Sequence, residues 1–381
     1  MADLYDYLNW RGDISFSQSA VNEIDSPIFA TPAYRDYPND TSHSLKQLGQ
    51  QVTEEQKPDK KRREALGFFA EIPRLLQRAG MTNRYASVMV HNFISKLNDA
   101  QSLQFAAMVF TVKKDLHVIT FRGTDTNLVG WKEDLMMSFM DEIPAQQEAA
   151  RYVKDLCDRL QGNFIITGHS KGGNLAVYAA VQQEEADRKR IRAIYNHDGP
   201  GFQKHVLEDR SYRKMLRRIH TFIPQSSIVG ILLEHGGDFT AVQSDQISIL
   251  QHDPFSWEVE GPHFVPAGEL SMGVLAIKDA IRSWLNKVSI KERAEFVKSF
   301  CELIEATGAN TLEDLSNEKL QSAYSILKAY THMSKESRLH LKKTVDLFFE
   351  ESRKSFTESL RESLDHLLPK KRAEEVKQLE Q

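Results

Sequence analysis

The sequence predicts an α/β fold, in which a mostly parallel sheet carries helices on both faces and is followed by a C-terminal helical region. Three observations lead there. Short β-rich runs alternate with helical patterns between residues 104 and 250. An apolar strand runs into Gly-x-Ser-x-Gly and then directly into a helix, and beyond Lys287 only helical periodicity remains. With 381 residues, 41% hydrophobic and a formal charge of −4, the chain has material for a sizeable core and for more than one unit. We divide it into an N-terminal segment (1–60), a sheet domain (61–285) and the helical region (286–381).

In chain order, the first 60 residues read as irregular and exposed, with acidic, aromatic and proline punctuation and a charged end at 54–63. Arg11-Gly12-Asp13 reads as a turn after Trp10, not as an adhesion site. From Glu64 the spacing of Leu66, Phe69, Ile72, Leu75 and Leu76 predicts a helix, and a second apolar-periodic stretch at 86–97 continues the helical pattern. Runs 104–112 and 116–121, joined by Lys113-Lys114-Asp115, predict a hairpin. A helix at 145–160, a strand at 164–167, a helix at 172–183 and strands at 191–195 and 219–223 follow. Two further β-like runs lie at 239–242 and 246–250.

In the helical region, Leu341, Val345, Phe348, Phe349, Phe356, Leu360, Leu364 and Leu367 form one apolar stripe at helical spacing. The stripe is expected to pack on neighbouring helices or on the sheet domain. A lid, a partner helix or a peripheral membrane contact are the sharper options. The cluster Lys370-Lys371-Arg372 is too short to choose among them.

Composition narrows the chemistry. Near-neutral charge gives no footprint for nucleic acid. Cys157 and Cys301 have neither disulfide-framework nor zinc-ligand spacing, so a reducing cytoplasm fits best. The start of the chain has no basic stretch followed by an apolar run, no segment has the ~18 apolar residues of a membrane span, and Asn39-Asp40-Thr41 is a glycosylation sequon without use in the cytosol. His-Glu-x-x-His, the phosphate-binding Gly-x-x-x-x-Gly-Lys-Ser/Thr and Gly-x-Gly-x-x-Gly are all missing, so no cofactor is implied.

The informative stretch is Phe164-Ile165-Ile166-Thr167-Gly168-His169-Ser170-Lys171-Gly172-Gly173. A serine on a sharp strand-to-helix turn sits in strained backbone. Glycines two before and two after it remove side chains that would collide with strand and helix. The hydroxyl is pushed out above the sheet edge, and the helix N-terminus brings free N–H groups to where an oxyanion would form. Upstream, strand 116–121 ends in Phe121-Arg122-Gly123-Thr124-Asp125 and leads to Trp131-Lys132-Glu133-Asp134.

These motifs, in this order and spacing, resemble the class 3 lipases of the α/β-hydrolase fold over residues 104–223. With Tyr7-Leu8-Asn9-Trp10-Arg11-Gly12-Asp13 and Gln251-His252-Asp253-Pro254-Phe255-Ser256-Trp257 added, the chain resembles an uncharacterised bacterial lipase-like family over residues 3–280. The resemblance implies an ester-cleaving serine hydrolase with Ser170 as nucleophile. It also implies an oxyanion hole from Thr124, through its backbone N–H and hydroxyl, and from the N–H of Lys171. Arg122, Trp131 and Asp134 then hold the loop in place. The substrate would be a small-molecule or lipid ester.

Chain order in this fold is Ser, acid, His, which leaves His205, His220, His235, His252 and His263 as bases. His252 is preferred because it follows the β-like run 246–250 and opens a turn; His235 is the runner-up, and His169 beside the serine reads as structural. In class 3 lipases the acid follows a strand matching 219–223, but residues 224–230 contain no carboxylate. Asp198, placed as in pancreatic-type lipases, is the alternative acid; it can equally serve only the Gly199-Pro200-Gly201 turn. Without an acid a Ser-His dyad would remain, with Ser226 as a weak orienter. The missing carboxylate also motivates a second reading, a non-catalytic hydrolase-like module that binds a lipid or a protein.

Overall fold

The structure, a computed structural model, describes residues 1–55, 67–308, 311 and 319–367. Its centre is an eight-stranded sheet whose spatial order follows the chain: β1 (Ser42–Ser44), β2 (Met89–Asn98), β3 (Leu103–Lys113), β4 (Leu116–Phe121), β5 (Asn163–His169), β6 (Ile191–His197), β7 (Ile219–Pro224) and β8 (Thr240–Val242). β1 to β4 pair antiparallel and β4 to β8 pair parallel. The hairpin 104–121 and the four strands that follow it, β5 to β8, lie where the periodicity put them. The α/β fold class is therefore that of the protein.

Alternation along β3 shows why both faces need cover. Ala106, Met108 and Phe110 point into one core, and Phe105, Ala107 and Val109 into the other. The first core is closed by helices from the N-terminal third: α1 (Leu4–Arg11), α2 (Asp25–Ala30), α3 (Leu45–Glu55) and α4 (Phe68–Gly80). The second is closed chiefly by α6 (Pro144–Arg159) and α7 (Lys171–Val181), with α5 (Leu128–Met136) between β4 and α6. Shorter helices α8 (Glu185–Arg190), α9 (Lys204–Glu208) and α10 (Arg210–Met215) connect β5 to β7.

The N-terminal segment is not the exposed, irregular stretch its composition suggested. Leu4, Tyr7, Leu8, Ile24, Ile28 and Phe29 are buried in the first core. Asp25, fully buried, accepts from Tyr7 Oη at 2.9 Å and Tyr85 Oη at 2.5 Å, and it pairs with the buried Arg84 at 2.5 Å. Two phenols and a guanidinium satisfy a carboxylate that could not otherwise leave water. The Arg11-Gly12-Asp13 turn does what was expected of it: Gly12 caps α1, and its carbonyl accepts from the Arg84 backbone N–H at 2.8 Å.

The stretch at 86–97 is a strand, not a helix. A bulge between His91 and Ile94, with Asn92 at φ 54°, breaks the two-residue alternation of β2 and spaces its apolar side chains by three, as a helix would. Run 246–250 is likewise no strand; it is a loop that enters a 3₁₀ turn at Ser248–His252.

Four further helices end the described chain: α11 (Met272–Lys287), α12 (Ile290–Glu305), α13 (Lys319–His332) and α14 (Lys335–Leu367). Glu351 of α14 pairs with Lys287 at 2.6 Å and accepts from Ser283 at 2.5 Å, which locks α14 on α11. Arg293 of α12 donates to the Ser138 carbonyl at 2.7 Å and ties the bundle to the segment after α5. Of the apolar stripe, Leu341 is buried, and Val345, Phe348 and Phe349 line a cavity; the side chains of Phe356, Leu360, Leu364 and Leu367 lie outside the described part, as do residues 56–66 and 370–372. Among the described residues no helix is long and apolar enough to cross a membrane.

Candidate active site

The parallel register sets the site. Phe121 stands opposite Gly168, and His169 opposite His197, so the C-terminal ends of β4, β5 and β6 lie side by side. Open α/β sheets place their functional groups at this edge. Ser170 follows β5 at φ 59°, an unfavourable conformation for a residue with a side chain, and its N–H is held by the His197 carbonyl at 2.9 Å. The flanking glycines are a steric requirement. A Cβ on Gly168 would lie 2.1 Å from the Gly172 carbonyl oxygen, and one on Gly172 would lie 2.2 Å from that of Phe121. Gly123 meets the same limit, because a Cβ there would lie 2.9 Å from the Ser170 Cβ.

Asp198 leaves the end of β6 at φ 51°, fully buried. Its Oδ2 accepts from His252 Nδ1 at 2.6 Å and from Ser227 Oγ at 2.5 Å. Burial pushes its pKa up, opposed by the His252 and Ser227 hydrogen bonds and by the Gly230 backbone. The structure thus brings the preferred histidine and the alternative acid into direct contact. It is Ser227, one residue past the position considered, that supports the carboxylate. Ser226 instead donates to Ser271 Oγ at 3.2 Å and has no part in holding the histidine.

Three of the other candidate histidines are engaged elsewhere. His235 Nε2 donates to the Gly230 carbonyl at 2.7 Å, His220 stacks on Tyr195, and His263 approaches Glu23 at 3.4 Å. His169, read as structural, has a definite task. Its Nε2–H donates to the His252 carbonyl at 2.7 Å, its Nδ1 accepts from Tyr34 Oη at 2.9 Å, and its ring lies 4.5 Å from that of His252. Burial drives its pKa well down, so it stays neutral and keeps that tautomer. Tyr34 also receives the Gly123 backbone N–H, so one phenol links the loop after β4 with the Ser170 turn. Nothing in the local sequence announces this link; it joins residues 135 positions apart.

Thr124 Oγ1 donates to Asp134 Oδ2 at 2.6 Å. The hydroxyl is therefore engaged, and only the backbone N–H of Thr124 remains to be offered. Burial pushes the Asp134 carboxyl up to about 6, against the pull of Lys171 and the Thr124 hydrogen bond. The Lys171 side chain is turned inward. Its Nζ donates to Glu133 Oε2 at 2.8 Å and to the Gln104 carbonyl at 3.2 Å, with both partners of the ion pair buried. Trp131 Nε1 donates to the Asp125 carbonyl at 3.2 Å and Arg122 pairs with Asp36 at 3.0 Å, so these residues brace the loop. Among the described residues no group of three His, Cys, Asp or Glu side chains could hold a metal ion.

Ser170, His252, Thr124, Asp134 and Lys171 all line one cavity of roughly 1160 Å³. The cavity thus brings together a serine hydroxyl on a strained turn, an imidazole oriented by a buried carboxylate and a helix N-terminus behind the serine.

A family model described as Mbeg1-like matches residues 79–302. No curated protein matches this chain. Among solved structures, one described as "Crystal structure of M37 lipase" is similar at a TM-score of 0.37 and 14% identity, over 56% of this chain and 70% of the other.

Proposed function

The chain belongs to the Mbeg1-like family, and from that premise and the geometry of the site we propose that it is a serine hydrolase cleaving carboxylic esters. Ser170 Oγ attacks the ester carbonyl while His252 Nε2 takes the hydroxyl proton. The proton passes to the leaving alcohol as the C–O bond breaks, and water repeats the cycle on the acyl-serine. The backbone N–H groups of Thr124 and Lys171 hold the oxyanion, each worth on the order of 3 kcal/mol in the transition state. Arg122, Trp131 and Asp134 keep the Thr124 loop in place.

The observation that carries this reading is the 2.6 Å contact between His252 Nδ1 and the buried Asp198. It engages Nδ1, fixes the tautomer and reserves Nε2 for the serine proton. The same contact supplies a carboxylate from outside residues 224–230, which favours the hydrolase reading over a non-catalytic module. The test is turnover of p-nitrophenyl acetate by the full chain. Ser170→Ala is expected to reduce kcat at least about 10³-fold; equal turnover by the variant would assign any activity to another group.

A further inference from the structure

The N-terminal segment reaches the site through one phenol, and the sheet fixes the approach. Thr120 Oγ1 of β4 donates to the Phe29 carbonyl at 3.1 Å, and Thr167 Oγ1 of β5 donates to the Ser26 carbonyl at 3.3 Å. Both carbonyls belong to α2, which passes directly into the 3₁₀ turn Thr31–Tyr34. α2 is thereby docked on the two strands that lead to Thr124 and to Ser170. Tyr34, at the end of the turn, is buried, and its ring stands edge-on to Phe68 at 4.7 Å.

The protons around the Tyr34 hydroxyl are assigned by its neighbours. A carbonyl only accepts, so His169 Nε2 donates to that of His252 at 2.7 Å. Burial keeps His169 neutral, which leaves Nδ1 as an acceptor. The phenol proton goes to Nδ1 at 2.9 Å in preference to the His169 carbonyl at 3.2 Å. A lone pair on Oη then takes the Gly123 N–H. The approach is close: a Cβ on Gly123 would lie 2.2 Å from Tyr34 Oη. Two residues on, Asp36 pairs with Arg122 at 3.0 Å and holds the same loop at a second point.

Resting on the ester-hydrolase reading above, we propose that Tyr34 is a positioning residue for the oxyanion hole and the base together: through Gly123 it sets the N–H of Thr124, and through His169 it sets the backbone of His252. Neither Tyr34 nor His169 exchanges a proton with substrate. Loss of the hydroxyl leaves the Gly123 N–H and His169 Nδ1 without this partner and frees the imidazole to take its other tautomer. That tautomer turns the Nε2 lone pair toward the His252 carbonyl, and two acceptors face to face repel. A displacement of ~1 Å in a reacting group costs on the order of 100-fold in rate.

The experiment is saturation kinetics of the full chain on p-nitrophenyl acetate, each variant beside a thermal melt. Tyr34→Phe keeps the ring and removes only Oη; it is expected to lower kcat about 100-fold with KM within about twofold of the parent. His169→Gln retains an N–H donor for the His252 carbonyl and is expected to keep at least about tenfold more kcat than His169→Leu. A folded Tyr34→Phe chain with kcat within about threefold of the parent overturns the proposal. So does a raised KM at unchanged kcat, which would put the phenol against the substrate. If Tyr34→Phe does not fold, the His169 pair decides, and equal kcat in the Gln and Leu variants overturns the proposal. A parent that turns over no ester sinks the hydrolase reading itself, whereas an active parent beside an equally active Tyr34→Phe sinks only the positioning role.

Discussion

Asp198→Asn is expected to lower kcat for ester hydrolysis by about 10⁴-fold while leaving the fold in place. The carboxylate is fully buried and takes two hydrogen bonds on one oxygen, from His252 Nδ1 and Ser227 Oγ. As proton transfer makes His252 cationic, a carboxylate at 2.6 Å stabilises that charge, and an amide of equal size does not. An amide nitrogen turned toward Nδ1 would also select the wrong tautomer. Because burial already raises the Asp198 pKa, losing its charge removes a desolvation cost, so the variant should melt near the parent. Saturation kinetics with p-nitrophenyl acetate, beside a thermal melt, provide the check. A loss smaller than tenfold would exclude Asp198 from the reaction.

Lys171→Met is expected to destabilise the fold by roughly 3–5 kcal/mol. Glu133 is fully buried. Its Oε1 accepts from the Ala145 N–H at the start of α6 at 2.8 Å, and its Oε2 accepts from the Gln104 N–H at 3.2 Å. These two backbone groups keep the carboxylate where it is after its counter-charge is gone. Removing Lys171 Nζ then leaves an uncompensated charge in a dry interior. Adding Glu133→Gln removes that charge, and the double variant should recover more than half of the loss. Urea unfolding of the parent, both single variants and the double variant measures this. A Lys171→Met cost below about 1 kcal/mol would mean that water reaches the pair.

The strands that carry the site were legible because their signals are local. An apolar run ending in Gly168-His169-Ser170-Lys171-Gly172 needs only neighbouring residues to define its geometry, and the hairpin 104–121 has its turn written between its strands. β2 was misread because its bulge at His91–Ile94 imitates helical spacing. The N-terminal segment was misread because its burial depends on Asp25 meeting Arg84, 59 positions away, and no periodicity records such a pairing. The sequence reason for His252, a preceding strand, does not hold, because run 246–250 enters a 3₁₀ turn. The contact of His252 with Asp198 arises because both lie at the same edge of the sheet, 54 positions apart. Tyr34, Ser227 and the inward Lys171–Glu133 pair were invisible for the same reason, although Glu133 stands beside the quoted Asp134. That Val345, Phe348 and Phe349 line a cavity is a property of packing, and their stripe predicted only that something would be covered.

The central claim, that Ser170 is a nucleophile activated by His252, is tested most directly by covalent capture with a fluorophosphonate followed by peptide mapping. The expected result is one adduct, on Ser170, formed at least about 100-fold more slowly in His252→Ala. A folded chain that gives no adduct on Ser170, or one that reacts equally fast without the imidazole, would contradict it.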